Sequence, residues 1–112
     1  MKDDLVYVHH ILDAVNQIQR YTKNLTYKKF LRSRVIQDAV IRQVTIIGEA
    51  SRQLSIEFQK NNPQIPWGQI IGMRNKLVHD YFGVDLGEVW RVVQEDLPVL
   101  RKQLKQLLRS VR

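Results

Sequence analysis

Apolar residues recur at spacings of three and four along most of the chain. From Asp4 onward Leu5, Val8, Leu12 and Val15, joined by Ile11 and Ile18, trace one buried helical face, with Asp3 or Asp4 as the expected N-cap. A link around Asn24 to Thr26 leads into "TYKKFLRS", where Thr26 is placed to cap a brief helical turn presenting Tyr27, Phe30 and Leu31 to the core. From about Ser33 to Asn61 there is no proline and one internal glycine, Gly48. Ile36, Val40, Val44, Ile47, Ser51, Leu54 and Phe58 form a stripe that Val35, Ile46 and Ala50 widen, so one long helix buried on more than one side is predicted. "NNPQIP" ends it, because Pro63 and Pro66 disfavour helical backbone in the residues before them.

A third helix is predicted over about Trp67 to Tyr81, carrying Ile70, Ile71, Met73 and Leu77 and stopping at Gly83 as its C-terminal cap. In the last segment Leu86, Trp90, Val93, Leu97, Leu100, Leu104, Leu107 and Val111 alternate spacings of four and three, a heptad-like seam. Pro98 removes one helical hydrogen bond within it. A kink or break is therefore expected at "EDLP", with Asp96 capping the second part; the phase kept across the proline favours the kink. Nothing alternates with period two, so the pattern predicts an all-α bundle of four or five helices in a single domain, residues 1–112.

Composition narrows the class. A chain of 112 residues buries only about two-thirds of the surface its unfolded form exposes, so oligomerisation would be a natural supplement to its stability. The formal charge of +7 favours anionic partners such as nucleic acid or an acidic protein. No cysteine is present, which excludes disulfides and thiolate metal sites. "MKDDLVYVHHILDAV" lacks the uninterrupted apolar stretch of a signal peptide, and no run approaches the roughly 18 apolar residues of a membrane span, so a cytoplasmic chain without a membrane partner is expected.

The stretch that demands explanation is "MRNKLVHDYFG", Met73 to Gly83, where Arg74, Asn75, His79, Asp80 and Tyr81 crowd together. Read as plain helix chemistry, it is surface and cap, because Arg and His both interact well with the last carbonyls of a helix. Read as a site, it suits RNA cleavage without a metal: imidazole can remove or deliver a proton near neutral pH, and guanidinium can neutralise charge gathering on a phosphoryl group. On an ideal helix Asn75 and His79 are neighbours, whereas Arg74 and His79 point about 140° apart. Two routes bring them together: the helix ends near Val78 so that His79 turns back, or two copies of the motif meet across a dimer. "IIGM" and "YFGVDLG" lack the spacing of a phosphate or dinucleotide loop.

Other side chains are weighed in the same way. Glu49 lies in the apolar second helix, where an unpaired carboxylate would be costly, so it is expected to meet Arg74, His79 or another cation. His9 and His10 diverge by about 100° and have no partner at ligand spacing, so no metal and no cofactor are expected. Trp67 and Trp90 read as core or interface anchors, and Asp38 as solvated or capping. The tail holds Arg101, Lys102, Lys105, Arg109 and Arg112 without an acid, a basic helical face that either is simply solvated or tracks RNA phosphates or an acidic partner.

The string "RNKLVHDY", with "GEASRQLS" and "IPWGQIIGM" before it and "FGVDLGEVWRVVQEDLPVL" after it, resembles the HepT-like toxins of the HEPN superfamily. The likeness spans nearly the whole chain. It implies an all-helical homodimer whose R-x4-H motifs meet in an interfacial cleft, and a metal-independent ribonuclease with Arg74 and His79 as the catalytic pair and Asn75 in support. Glu49 and Asp80 are supporting candidates by position alone, with an ion pair the equal alternative for Glu49 and a solvated or capping place for Asp80. The resemblance also implies an RNA substrate, with tRNA as the family's candidate, and an MntA-like nucleotidyltransferase antitoxin as partner. That antitoxin would silence the toxin by moving AMP from ATP onto Tyr81. The competing reading is a non-catalytic HEPN module that binds a nucleotidyltransferase or a nucleotide.

Overall fold

The computed structural model describes residues 2–79 and 83–111 and is all-α in class. Helix α1 spans Lys2–Thr22, α2 Tyr27–Arg32, α3 Arg34–Gln53, α4 Ile56–Asn61 and α5 Trp67–Leu77. After a two-residue antiparallel pair, β1 (Val78–His79) with β2 (Gly83–Val84), come α6 (Leu86–Arg91), a wide-turn segment over Val92–Asp96 and α7 (Leu97–Ser110). The long helices are α1, α3, α5 and the final α6–α7 rod, and α2 and α4 are short turns packed beside them.

Helices α1 and α3 form the main pair, and they run antiparallel, since Asp4 near the start of α1 meets Ser55 just beyond the end of α3. Val8, Ile11, Val15 and Ile18 of α1 are fully buried against a core to which α3 contributes Val40, Val44 and Ile47. Helix α5 lies across the other side of α3, and Gly48 is the close approach: a Cβ there would stand 3.4 Å from the Ile71 carbonyl oxygen. Trp67 anchors the start of α5, buried against Phe58 and donating from Nε1 to the Asn62 carbonyl at 3.0 Å. Trp90 is half-buried and packs against Phe30 and Tyr27 of α2.

Local chemistry sets the ends of these elements. Thr26 caps α2 by accepting from the Lys29 N–H at 3.1 Å, as its position before "YKKF" suggests. The long helix expected over Ser33 to Asn61 is instead two. Leu54 and Ser55 are extended, and Ser55 caps α4 by accepting from the Phe58 N–H at 3.1 Å. What holds the break open is Asp4, which is 3% exposed and accepts from both the Ser55 N–H, at 2.8 Å, and the Ser55 hydroxyl, at 2.9 Å. Asp4 is thus a tie between helices inside the first turn of α1, and the N-capping role expected of it is not the one it plays.

The proline in the last segment produces a change of pitch without a break. Over Val92–Asp96 the backbone bonds as a π-helix, with the Leu97 N–H reaching the Val92 carbonyl five residues back. Pro98 follows at the start of α7, where its missing N–H and bulky ring are accommodated by that wider turn. Asp96, expected to cap α7, is itself helical and makes no cap; its carboxylate accepts from Arg91 at 3.0 and 3.2 Å.

Candidate functional site

Helix α5 ends at Leu77, four residues short of the expected Tyr81, because β-branched Val78 turns extended while its N–H still reaches the Arg74 carbonyl. Val78 and His79 then pair with Val84 and Gly83. The Asp85 N–H closes the base of this hairpin on the Leu77 carbonyl at 2.9 Å. Gly83, expected as the cap of α5, serves the returning strand, where its φ of +96° suits glycine. Asp85 then starts α6, its carboxylate accepting from the Glu88 N–H at 3.1 Å.

The geometry bears directly on the motif. Arg74 is exposed on the last turn of α5, with its Nη1 3.4 Å from the exposed Asn75 side-chain oxygen. His79 lies two residues beyond the helix end, in extended backbone. The angle of about 140° between the two on an ideal helix therefore does not apply to this backbone. Asp80 and Tyr81, assigned the supporting and AMP-accepting places, lie outside the described residues.

Glu49 is placed differently from expectation. It is exposed and lines a shallow groove of about 250 Å³ between α1 and α3 with Tyr7, His10 and Gln53, so no buried ion pair forms and no desolvation cost arises. The neighbouring Gly48, rather than Glu49, faces α5. In the basic tail, Arg101 is tied to α1 by a 2.7 Å hydrogen bond from Nε to the Asn16 side-chain oxygen, while Lys102, Lys105 and Arg109 are exposed. No helix among the described residues is long and apolar enough to cross a membrane.

A groove of about 700 Å³ between α5 and the final rod escaped the sequence reading, because its walls are far apart in the chain. Ile70, Met73 and Leu77 face Val92, Leu97 and Leu100 across it. Lys76, Glu88, Arg91 and Asp96 also line it. Arg91 binds Glu88 at 2.6 Å and Asp96 at 3.0 Å, with Glu95 at 3.7 Å. The hydrogen bond from Arg91 holds the Glu88 carboxyl below its usual range, and the same partners push the Arg91 guanidinium up. Arg91 is therefore engaged within its own rod, whereas Arg74, on the last turn of α5, makes no ion pair with any described residue.

Comparison with known proteins identifies the family. A family profile described as "Ribonuclease HepT-like" matches residues 11–107. A protein named "Probable ribonuclease HepT" from Thermococcus cleftensis is 40% identical over 101 residues, covering 90% of this chain and 92% of that one. A "Putative RNase MJ1380" from Methanocaldococcus jannaschii is 38% identical over 104 residues, 93% of this chain and 95% of its own. The same organism's "Gamma-glutamylcyclotransferase and putative RNase MJ0434" is 42% identical over 110 residues, and there the chain spans 50% of the relative's length. No solved structure matches. With the profile covering most of the chain and relatives of matching length at these identities, the chain belongs to the HepT-like ribonuclease family of the HEPN superfamily.

Proposed function

We propose that this chain is the toxin of a toxin–antitoxin pair, a metal-independent endoribonuclease in which Arg74 and His79 act on RNA in the cleft of a homodimer. The observation that carries the reading is the early end of α5, which leaves an exposed Arg74 on the last turn and sets His79 just past it in the hairpin. In such a cleft one neutral imidazole takes the proton of a ribose 2′-hydroxyl as its oxygen attacks phosphorus. The second copy's imidazolium protonates the departing 5′-oxygen, leaving a 2′,3′-cyclic phosphate and a 5′-hydroxyl. Arg74 stabilises the charge that collects on the non-bridging oxygens, and Asn75 beside it steadies the guanidinium. The substrate, on the family analogy, is tRNA.

Silencing is by an MntA-like nucleotidyltransferase. The Tyr81 hydroxyl attacks the α-phosphorus of ATP and pyrophosphate leaves, placing an anionic AMP two residues from His79, where it competes with RNA phosphate for Arg74. The test pairs cleavage with mass. Wild-type protein should cut RNA in the presence of a chelator, and Arg74→Ala and His79→Ala should each lose the activity and the growth inhibition. Co-expression with the nucleotidyltransferase should add about 329 Da per AMP at Tyr81. Undiminished cleavage by His79→Ala would refute the catalytic assignment. Intact binding of the nucleotidyltransferase with no RNA cleavage by wild type would favour the binding-module reading.

A further inference from the structure

We propose that α2 is the RNA-docking face of this protein, with Lys28, Lys29 and Arg32 tracking substrate phosphates beside the hairpin that carries His79; the proposal rests on the ribonuclease reading. Between Asp13 and Asp38 the chain has no acidic residue and carries Arg20, Lys23, Lys28, Lys29, Arg32 and Arg34. Arg34 is paired with Asp38 at 3.5 Å, whereas Lys28, Lys29 and Arg32 are exposed and form no ion pair with any described residue. On a helix these three fall within an arc of about 100°. Phe30, which points the opposite way, is fully buried. The short helix thus has one face committed to the core and one exposed face whose cations pair with no described residue.

Its position makes that face relevant. Tyr27 and Phe30 pack on Trp90 with ring centres 5.8 and 5.2 Å apart. Gly87 lets the Tyr27 hydroxyl come close, since a Cβ there would stand 3.3 Å from it. Gly87 is in the first turn of α6, three residues after β2, so α2 is fastened at the foot of the hairpin that holds His79. The tail cations are farther away along the same rod: from Asp85, Lys102 is about 25 Å and Arg109 about 36 Å distant at 1.5 Å per residue. Because α2 packs on α6 directly after the hairpin, its cations are the basic cluster we assign to the strand's phosphates, ahead of the tail.

The experiment measures binding of a fluorescein-labelled 16-nucleotide single-stranded RNA to the His79→Ala protein, with and without Lys28→Gln, Lys29→Gln and Arg32→Gln together. Each phosphate contact on a single strand contributes about 0.7 to the slope of log K against log salt. Losing three contacts should lower that slope by about 2 and weaken binding roughly 50-fold at 0.15 M salt. In the otherwise wild-type enzyme the same change should raise KM for RNA and leave kcat nearly unaltered. If a melt shows that the triple variant is not folded, Lys28→Gln with Lys29→Gln should lower the slope by about 1.4.

An unchanged slope and affinity, with wild type still cleaving RNA and His79→Ala not, would overturn the docking face and leave the ribonuclease reading standing. A larger loss from Lys102→Gln, Lys105→Gln and Arg109→Gln than from the α2 change would move the docking face to α7 and also overturn it. Loss of nucleotidyltransferase binding with RNA affinity retained would assign α2 to the protein partner instead. Failure of wild type to bind or cleave any RNA would overturn both readings together.

Discussion

Replacing Asp4 by Ala should destabilise the domain well beyond what an aspartate in the first turn of a helix ordinarily contributes. Its carboxylate is 3% exposed and accepts from the Ser55 N–H and hydroxyl at 2.8 and 2.9 Å. Hydrogen bonds to a charged group contribute about 1.5–3 kcal/mol each, and the Ser55 hydroxyl can turn to recover part of its loss. A cost of about 2–4 kcal/mol follows. With an unfolding entropy of about 2.1 cal/mol/K per residue, each kcal/mol lowers Tm by about 4 °C in a chain of this length, so the expected drop is roughly 8–16 °C. Ser55→Ala keeps the main-chain bond and removes the hydroxyl from both Asp4 and the Phe58 N–H, for about 1–2 kcal/mol. Urea unfolding followed by the fluorescence of Trp67 and Trp90 gives all four corners of the cycle. The two substitutions should couple by about 1 kcal/mol or more, as groups in direct hydrogen-bond contact do. An Asp4→Ala cost under about 0.5 kcal/mol, or strict additivity in the double variant, would refute the claim that this tie holds α1 to the α3–α4 junction.

Three further outcomes can be checked with purified protein. Gly48→Ala places its Cβ at ordinary contact, 3.4 and 3.7 Å from the Ile71 and Ile70 carbonyl oxygens, and gains helix propensity, so stability should change by less than about 1 kcal/mol. Gly48→Val should instead push α5 from α3 and cost about 2 kcal/mol in urea unfolding. Thr26→Ala removes the cap of α2 and should cost about 1 kcal/mol, read as faster amide exchange at Lys29 and Phe30. Glu88, held low by Arg91, stabilises the fold above its unfolded pKa of about 4.3 and loses that contribution as pH falls through the lower folded value. Wild type should therefore melt above Glu88→Gln at neutral pH, and the two should converge in acid.

The helices were legible because their apolar stripes are local, and the points missed are those where a distant residue decides. Ser51, Leu54 and Phe58 continue the stripe of α3 without interruption, so only Asp4, about fifty positions away, reveals the break at Ser55. The same limit hid the end of α5: Val78 looks like another helical residue until Val84 is seen opposite it. Glu49 is exposed because a stripe broad enough to suggest burial on several sides still leaves one arc in solvent. The crowding of Arg74, Asn75 and His79 is plain in the string, as is the angular conflict a regular helix would impose. The groove between α5 and the final rod, and the placement of α2 beside the hairpin, join residues too far apart in the chain for spacing to expose.

The wide turn before Pro98 lets one rod serve two masters. A π segment takes up about one residue more than an α-turn, so the faces before and after it are re-phased by roughly 100°. Ahead of it, Trp90 addresses α2; behind it, Arg101 addresses Asn16 of α1. Removing a single residue within Val92–Asp96 would take away the wide turn that accommodates Pro98 and would turn the Trp90 face away from α2, so it should destabilise the rod. The π segment thus sets the angular offset between the part of the rod that meets α2 and the part that meets α1.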